Sequence, residues 1–134
     1  MMKRISSVLA ILFAVFAIGS AAQADTNANL GFMDWDPVAA QEAVSNGERV
    51  VINTWATWCP FCKAQRRALS SLLKADPDTY GDVKVFAVDI DDADTPTRIG
   101  SVGVSKTTLI FFANGEEVSV YKGQDTAEMA GFLQ

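Results

Sequence analysis

Apolar and polar positions along the chain alternate with two periods. Val50, Val51 and Ile52 form a short β-branched run, which predicts a buried strand. After it, apolar residues recur at Phe61, Ala64, Ala68, Leu69, Leu72 and Leu73, with Lys63, Gln65, Arg66 and Arg67 between them. That spacing predicts a helix with one core-facing stripe, ended by Asp76-Pro77. Val83 and the run Val85, Phe86, Ala87, Val88 predict a second central parallel strand. Residues 108–113 and 118–121 flank Asn114-Gly115, a favoured hairpin turn. An earlier helix opens at Asp36-Pro37, turns Val38, Ala39, Ala43 and Val44 to one face, and closes at Asn46-Gly47. Trp35 is expected to pack against it. A last helix over residues 125–133 has Asp125 and Glu128 at capping-box spacing, with Met129, Phe132 and Leu133 facing inward. Residues 25–34 are expected to be disordered before a short edge strand, and residues 95–100 to form one or two helical turns. Parallel crossovers come first and an antiparallel hairpin last. The order predicts one α/β domain, a central mixed sheet with helices on both faces.

The N-terminus reads as a processing signal. Lys3 and Arg4 precede an apolar stretch from Val8 to Ile18, and Ala22-Gln23-Ala24 fits a cleavage site. The apolar stretch is shorter than the ~20 residues a membrane span needs, so cleavage is favoured over an uncleaved anchor. The expected division is a signal peptide over residues 1–24 and a periplasmic or secreted domain over residues 25–134, with no stable membrane association after cleavage. Removing Lys3 and Arg4, with no acid, takes the formal net charge from −5 to −7. So acidic a domain argues against nucleic acid and anionic membranes as partners. The acids at 89, 91, 92 and 94 suggest calcium, but an EF-hand loop needs glycine at position 6, and counting from Asp89 gives Asp94. A solvated loop at a strand end is the better reading.

The chain has two cysteines and no histidine. Cys59 and Cys62 stand where the first strand gives way to the amphipathic helix. A helix N-terminus favours a thiolate over a thiol, and Pro60 suits a first turn where a missing N–H costs nothing. Cys59 is expected to be the exposed attacker with a lowered pKa, and Cys62 the less accessible resolving thiol. Zinc in a closed site needs four ligands, and a structural bridge across so short a loop gains little. Redox chemistry is therefore the leading reading of the pair.

The stretch Trp55-Ala56-Thr57-Trp58-Cys59-Pro60-Phe61-Cys62 resembles the active-site signature of the thioredoxin family. The flanking Val51-Ile52-Asn53-Thr54-Trp55 is more similar to the periplasmic branch of thiol–disulfide oxidoreductases. The resemblance covers about the last hundred residues and implies a thioredoxin fold. It implies disulfide-containing protein substrates, a membrane electron-transfer partner if the protein reduces, and no dissociable cofactor. Trp58 and Phe61 would form an apolar platform beside Cys59.

Three positions depart from the family pattern. Asn53 stands where the family has a buried acid that assists the second cysteine, and Asn cannot accept a proton. Thr107 stands where the family has a cis-proline; the Lys106–Thr107 bond is expected to be trans, and the Thr107 hydroxyl could donate to the Cys59 thiolate. Arg67 replaces a proline that kinks the helix, so a straighter helix is expected. The lost cis-proline leaves open a competing class, a module binding Cu(I) or an iron–sulfur cluster through Cys59 and Cys62, within one chain or across a dimer. A binding domain that merely keeps the motif is a third reading.

Overall fold

The computed structural model describes residues 25–134, so the expected signal segment over residues 1–24 lies outside the described residues. The elements are α1 (Asn27–Leu30), β1 (Met33–Asp34), α2 (Pro37–Ser45), β2 (Val50–Trp55), α3 (Pro60–Ala75), α4 (Pro77–Tyr80), β3 (Lys84–Asp89), β4 (Arg98–Ile99), β5 (Val102–Gly103), β6 (Thr108–Ala113), β7 (Glu116–Tyr121) and α5 (Thr126–Phe132). Five strands form one sheet in the order β1-β3-β2-β6-β7. β1 and β2 run parallel to β3, while β6 runs antiparallel to β2 and β7 antiparallel to β6. The mixed sheet expected from the sequence is therefore present.

β2 is the central strand, and its alternation feeds two cores. Val51 faces Leu69 of α3, Met129, Phe132 and Leu133 at the C-terminus, and Leu30 and Phe32 near the start. Val50 and Ile52 face Ala40 and Ala43 of α2, together with Phe86, Val88 and Ile110. The β6–β7 turn places Asn114 at φ 54° and Gly115 at φ 83°, the two positive angles that a type I′ turn demands. Arg49, just before β2, ties distant segments together. Its Nη1 donates to Thr79 O at 2.8 Å and Asp82 Oδ1 at 2.9 Å, and its Nη2 to Leu133 O at 3.1 Å.

Four local expectations are corrected. Residues 25–34 are not wholly irregular: Thr26 caps the single turn α1, Gly31 ends it at φ 77°, and Leu30 and Phe32 are buried. In α2 the buried pair is Ala40 and Ala43, while Val38 is 75% exposed. Val38 lies five positions before Ala43, about 140° around the helix, and so points away from the sheet. Residues 95–100 form no helix. Arg98 and Ile99 pair with Gly103 and Val102 in a small hairpin, and Gly100 turns at φ 59°. The carboxylate of Glu117 accepts from the Ser101 N–H and hydroxyl, which fixes that turn. At α5, Asp125 caps Ala127 and Glu128 as expected, but Glu128 does not complete a capping box. Its Oε2 accepts from the Tyr121 hydroxyl at 2.8 Å, and Tyr121 Oη in turn accepts from the Asp125 N–H at 3.0 Å.

Candidate active site

β2 ends at Trp55, residues 56–58 turn the chain, and Pro60 opens α3. The Cys59 N–H donates to Ala56 O at 3.1 Å, closing the turn. Cys59 is the N-cap of α3, with φ −98° and ψ 108°, and its sulfur accepts from the Cys62 N–H at 3.2 Å. A sulfur thus takes the place of the oxygen that usually caps a helix, and it receives a backbone donor at the positive end of a sixteen-residue helix. The two sulfurs are not bonded to each other.

Cys59 is not the exposed thiol expected from the sequence. It is 1% exposed and Cys62 is fully buried, both packed with Ala56, Trp55 and Ile90. The difference is tertiary, because Thr107 from the loop before β6 lies over the pair. Its Oγ1 is 3.4 Å from Cys59 Sγ and 3.1 Å from Cys62 Sγ. One hydroxyl therefore bridges both sulfurs. Thr107 holds φ 58°, and no cis peptide bond occurs among the described residues. A β-branched residue in the left-handed region is a genuine outlier, and surrounding contacts must hold it there. Gln65 supplies one: its Nε2 donates to Thr107 O at 3.3 Å and Gly123 O at 2.9 Å.

The two thiols are pushed in opposite directions. Burial raises the Cys59 thiol, but the Cys62 side chain, the Thr107 hydroxyl, the Cys62 N–H and the Lys106 charge outweigh it and hold Cys59 below the ordinary thiol value. Burial and the neighbouring Cys59 raise Cys62. The attacker and resolver roles follow this asymmetry.

Trp58 and Phe61 are 59% and 66% exposed on either side of Cys59. The Trp58 indole is held at two points. Its Nε1 donates to Asp91 Oδ2 at 2.7 Å, and Lys106 Nζ sits 4.4 Å from the ring centroid. Pro60 occupies the first helical turn as expected. Arg67, at the place of the absent proline, pairs its Nε with Asp25 Oδ1 at 3.1 Å, and α3 runs unbroken through it.

Behind the cysteines the sequence reading misplaced two polar side chains. Gln65 and Arg66, placed between the positions of the apolar stripe, are 0% and 1% exposed. The buried stripe runs through Cys62, Gln65, Arg66, Leu69 and Ser70, while Phe61 turns outward. The available signal was Cys62 itself: if it is buried, positions three and four later share its face. Asn53 Oδ1 accepts from Arg66 Nη1 at 2.9 Å, whereas Asn53 Nδ2 is buried without a partner. The Asp89 end of β3 forms a turn: its Oδ1 accepts from the Asp91 N–H at 3.0 Å and its backbone O from the Thr95 hydroxyl. Among the described residues, no group of three or more His, Cys, Asp or Glu is placed to hold a metal ion.

The Thioredoxin family model matches residues 35–134. The thioredoxin of Pseudomonas aeruginosa is 30% identical over 95 residues, 69% of this chain and 83% of its own length. The thiol:disulfide interchange protein DsbE of Vibrio cholerae is 29% identical over 90 residues, 63% of this chain but only 46% of that relative. Among solved structures, Trxlp of Edwardsiella tarda superposes with a TM-score of 0.64 at 29% identity, covering 75% of this chain and 97% of that one.

Proposed function

The chain belongs to the thioredoxin family, whose members are thiol–disulfide oxidoreductases, and from that premise we propose an exported enzyme that exchanges disulfides in periplasmic polypeptides. The observation that carries this reading is Cys59 at the N-cap of α3, its sulfur 3.2 Å from the Cys62 N–H and under a shared Thr107 hydroxyl. The basic and apolar segment ending at Ala24 supports export. The partial likeness to the DsbE relative supports the periplasmic branch. Among the described residues no helix is long and apolar enough to cross a membrane; the likeness to the periplasmic branch supports a membrane thiol–disulfide partner that returns electrons to the pair.

The chemistry follows from the geometry. Cys59 thiolate attacks one sulfur of a substrate disulfide, and the other sulfur leaves with the bonding pair and takes up a proton. Cys62 then gives up its proton and attacks Cys59 Sγ. The Cys59–Cys62 bond forms, the mixed disulfide breaks, and the second substrate sulfur leaves as a thiol once protonated. Two electrons pass to the substrate and the pair ends oxidised. Thr107 touches both sulfurs, so it can donate to whichever carries the charge. Trp58 and Phe61 offer apolar surface to the substrate chain beside the sulfur under attack.

Two experiments test this. Purified protein should catalyse dithiothreitol-driven reduction of insulin disulfides, and Cys59→Ser should abolish it; an equally active Cys59→Ser protein would overturn the reading. For export, N-terminal sequencing of the periplasmic fraction should read from Asp25, and recovery only of uncleaved chain in the cytoplasm would refute it.

A further inference from the structure

Thr54 breaks the apolar pattern of its own face. Val50, Ile52 and Thr54 project to the same side of β2, and the first two pack into the core under α2. Thr54 is as buried as they are, at 0% exposure, with Val88 beside it on β3 and Thr108 beside it on β6. Valine has nearly the same shape and would bury no hydroxyl. A buried hydroxyl costs free energy unless it is hydrogen-bonded, so the place where this one bonds shows what it does.

It bonds to the loop before β6. Thr54 Oγ1 donates to Ser105 O, and Thr108 O lies 3.4 Å from it. These two carbonyls bracket Lys106 and Thr107. Within the bracket the Thr108 hydroxyl donates to Lys106 O at 3.3 Å, and its oxygen is 3.5 Å from Ser105 Oγ. From α3, on the other face of the sheet, Gln65 Nε2 donates to Thr107 O at 3.3 Å. The loop is therefore held from both faces. It needs to be, because Thr107 is β-branched and stands at φ 58°, a conformation that sterics disfavour. Its two contacts to sulfur are weak hydrogen bonds. A loop free to relax would return Thr107 to negative φ and carry its hydroxyl away from the cysteines.

We propose that Thr54 is a positioning residue for disulfide exchange: its buried hydroxyl fixes the loop from Ser105 to Thr108 so that the Thr107 hydroxyl stays between the two sulfurs. This rests on the oxidoreductase reading and adds to it a residue that contacts neither cysteine. During exchange the attacking thiolate is Cys59 in the first step and Cys62 in the second. One hydroxyl can serve both only while the loop stays in place.

The test is alkylation of reduced protein across pH, with the modified cysteine identified by mass. Thr54→Val should raise the Cys59 midpoint by roughly half a pH unit to one unit, about threefold to tenfold less thiolate at any pH below it. Thr54→Ser keeps the hydroxyl and should stay within about twofold of the unaltered protein. In a Thr107→Ala background, Thr54→Val should shift the midpoint less than half as far. A small shift should survive there because Lys106, exposed in the same bracket, also acts on Cys59. Urea unfolding is measured on every variant. A purely structural role would lower the urea midpoint and leave the Cys59 midpoint in place. If Thr54→Val does not fold, Thr54→Ala, which overfills nothing, replaces it. An unchanged Cys59 midpoint, or an equal shift with and without the Thr107 hydroxyl, would overturn the role of Thr54. Insulin reduction by the unaltered protein is assayed beside it: absence of that activity sinks the oxidoreductase reading, whereas the thiol midpoints decide Thr54 on their own.

Discussion

Thr107 carries two loads that substitution can separate. Its hydroxyl lies 3.4 Å from Cys59 Sγ and 3.1 Å from Cys62 Sγ, and its backbone holds φ 58°. A hydrogen bond to a charged group contributes ~1.5–3 kcal/mol. Sulfur is a weak acceptor and this hydroxyl is shared, so the low end applies, about 1.5 kcal/mol, a little over tenfold in thiolate population. The left-handed conformation costs an L-residue roughly 1–2 kcal/mol, and glycine escapes that cost while losing about 0.5–1 kcal/mol to chain entropy. Thr107→Gly is therefore expected to be neutral to slightly more stable, by up to ~1.5 kcal/mol. It should nonetheless react about tenfold more slowly below the Cys59 midpoint. Thr107→Ala should lose the reactivity without gaining the stability, and Thr107→Ser should keep most of the reactivity. The assay is iodoacetamide alkylation of reduced protein across pH, with the modified cysteine identified by mass, alongside urea unfolding. Removing a donor to the thiolate moves the titration upward, so the loss should be greatest at low pH and vanish above the midpoint. Equal rates for Thr107→Ala and the unaltered protein at every pH, or an equal loss in Thr107→Ser, would refute the reasoning.

Three further outcomes are expected. Trp58→Ala removes the Lys106 stacking and the Asp91 hydrogen bond, and insulin reduction should show KM raised roughly threefold to tenfold with kcat little changed, since weakened uniform binding acts on KM. Asp125→Ala removes two N-cap bonds to α5 and should cost about 1 kcal/mol, read as a lower urea midpoint at constant slope. Absorbance near 240 nm should show Cys59 ionising below a free thiol and Cys62 above it. Because Cys59 is lowered, its contribution to the reduced fold is complete above the free-thiol range and lost as pH falls through its own midpoint. Cys62, being raised, costs stability as pH climbs into and past the free-thiol range.

The parts of the fold that could be read in advance are those where one periodicity dominates. β2 and β3 are near-continuous apolar runs, Asn114-Gly115 forces its hairpin, and Asp36 and Asp125 are caps by chemistry alone. The Cys pair was placed by the junction it occupies. The rest depended on contacts between residues far apart. Gln65 and Arg66 look solvent-facing by polarity, and only their tertiary partners (Thr107, Gly123, Asn53 and the Trp55 ring) explain their burial. Cys59 is covered by a loop nearly fifty positions later. Residues 95–100 escaped because Glu117, on β7, selects the hairpin over a helix.

The sheet order has a consequence for when the protein becomes reactive during its own making. β2 lies between β3 and β6, so the strand that delivers the cysteines lacks its second neighbour until residue 113 is available. Thr107 arrives with that neighbour, and the carbonyl that anchors Gln65, Gly123 O, later still. A nascent or truncated chain therefore carries both thiols without the hydroxyl bridge or the buried polar seam behind them. Its Cys59 lacks one of the groups that hold it below the ordinary thiol value until the C-terminal quarter docks. The full complement of contacts on the two sulfurs is in this way completed only when the C-terminal strands have docked.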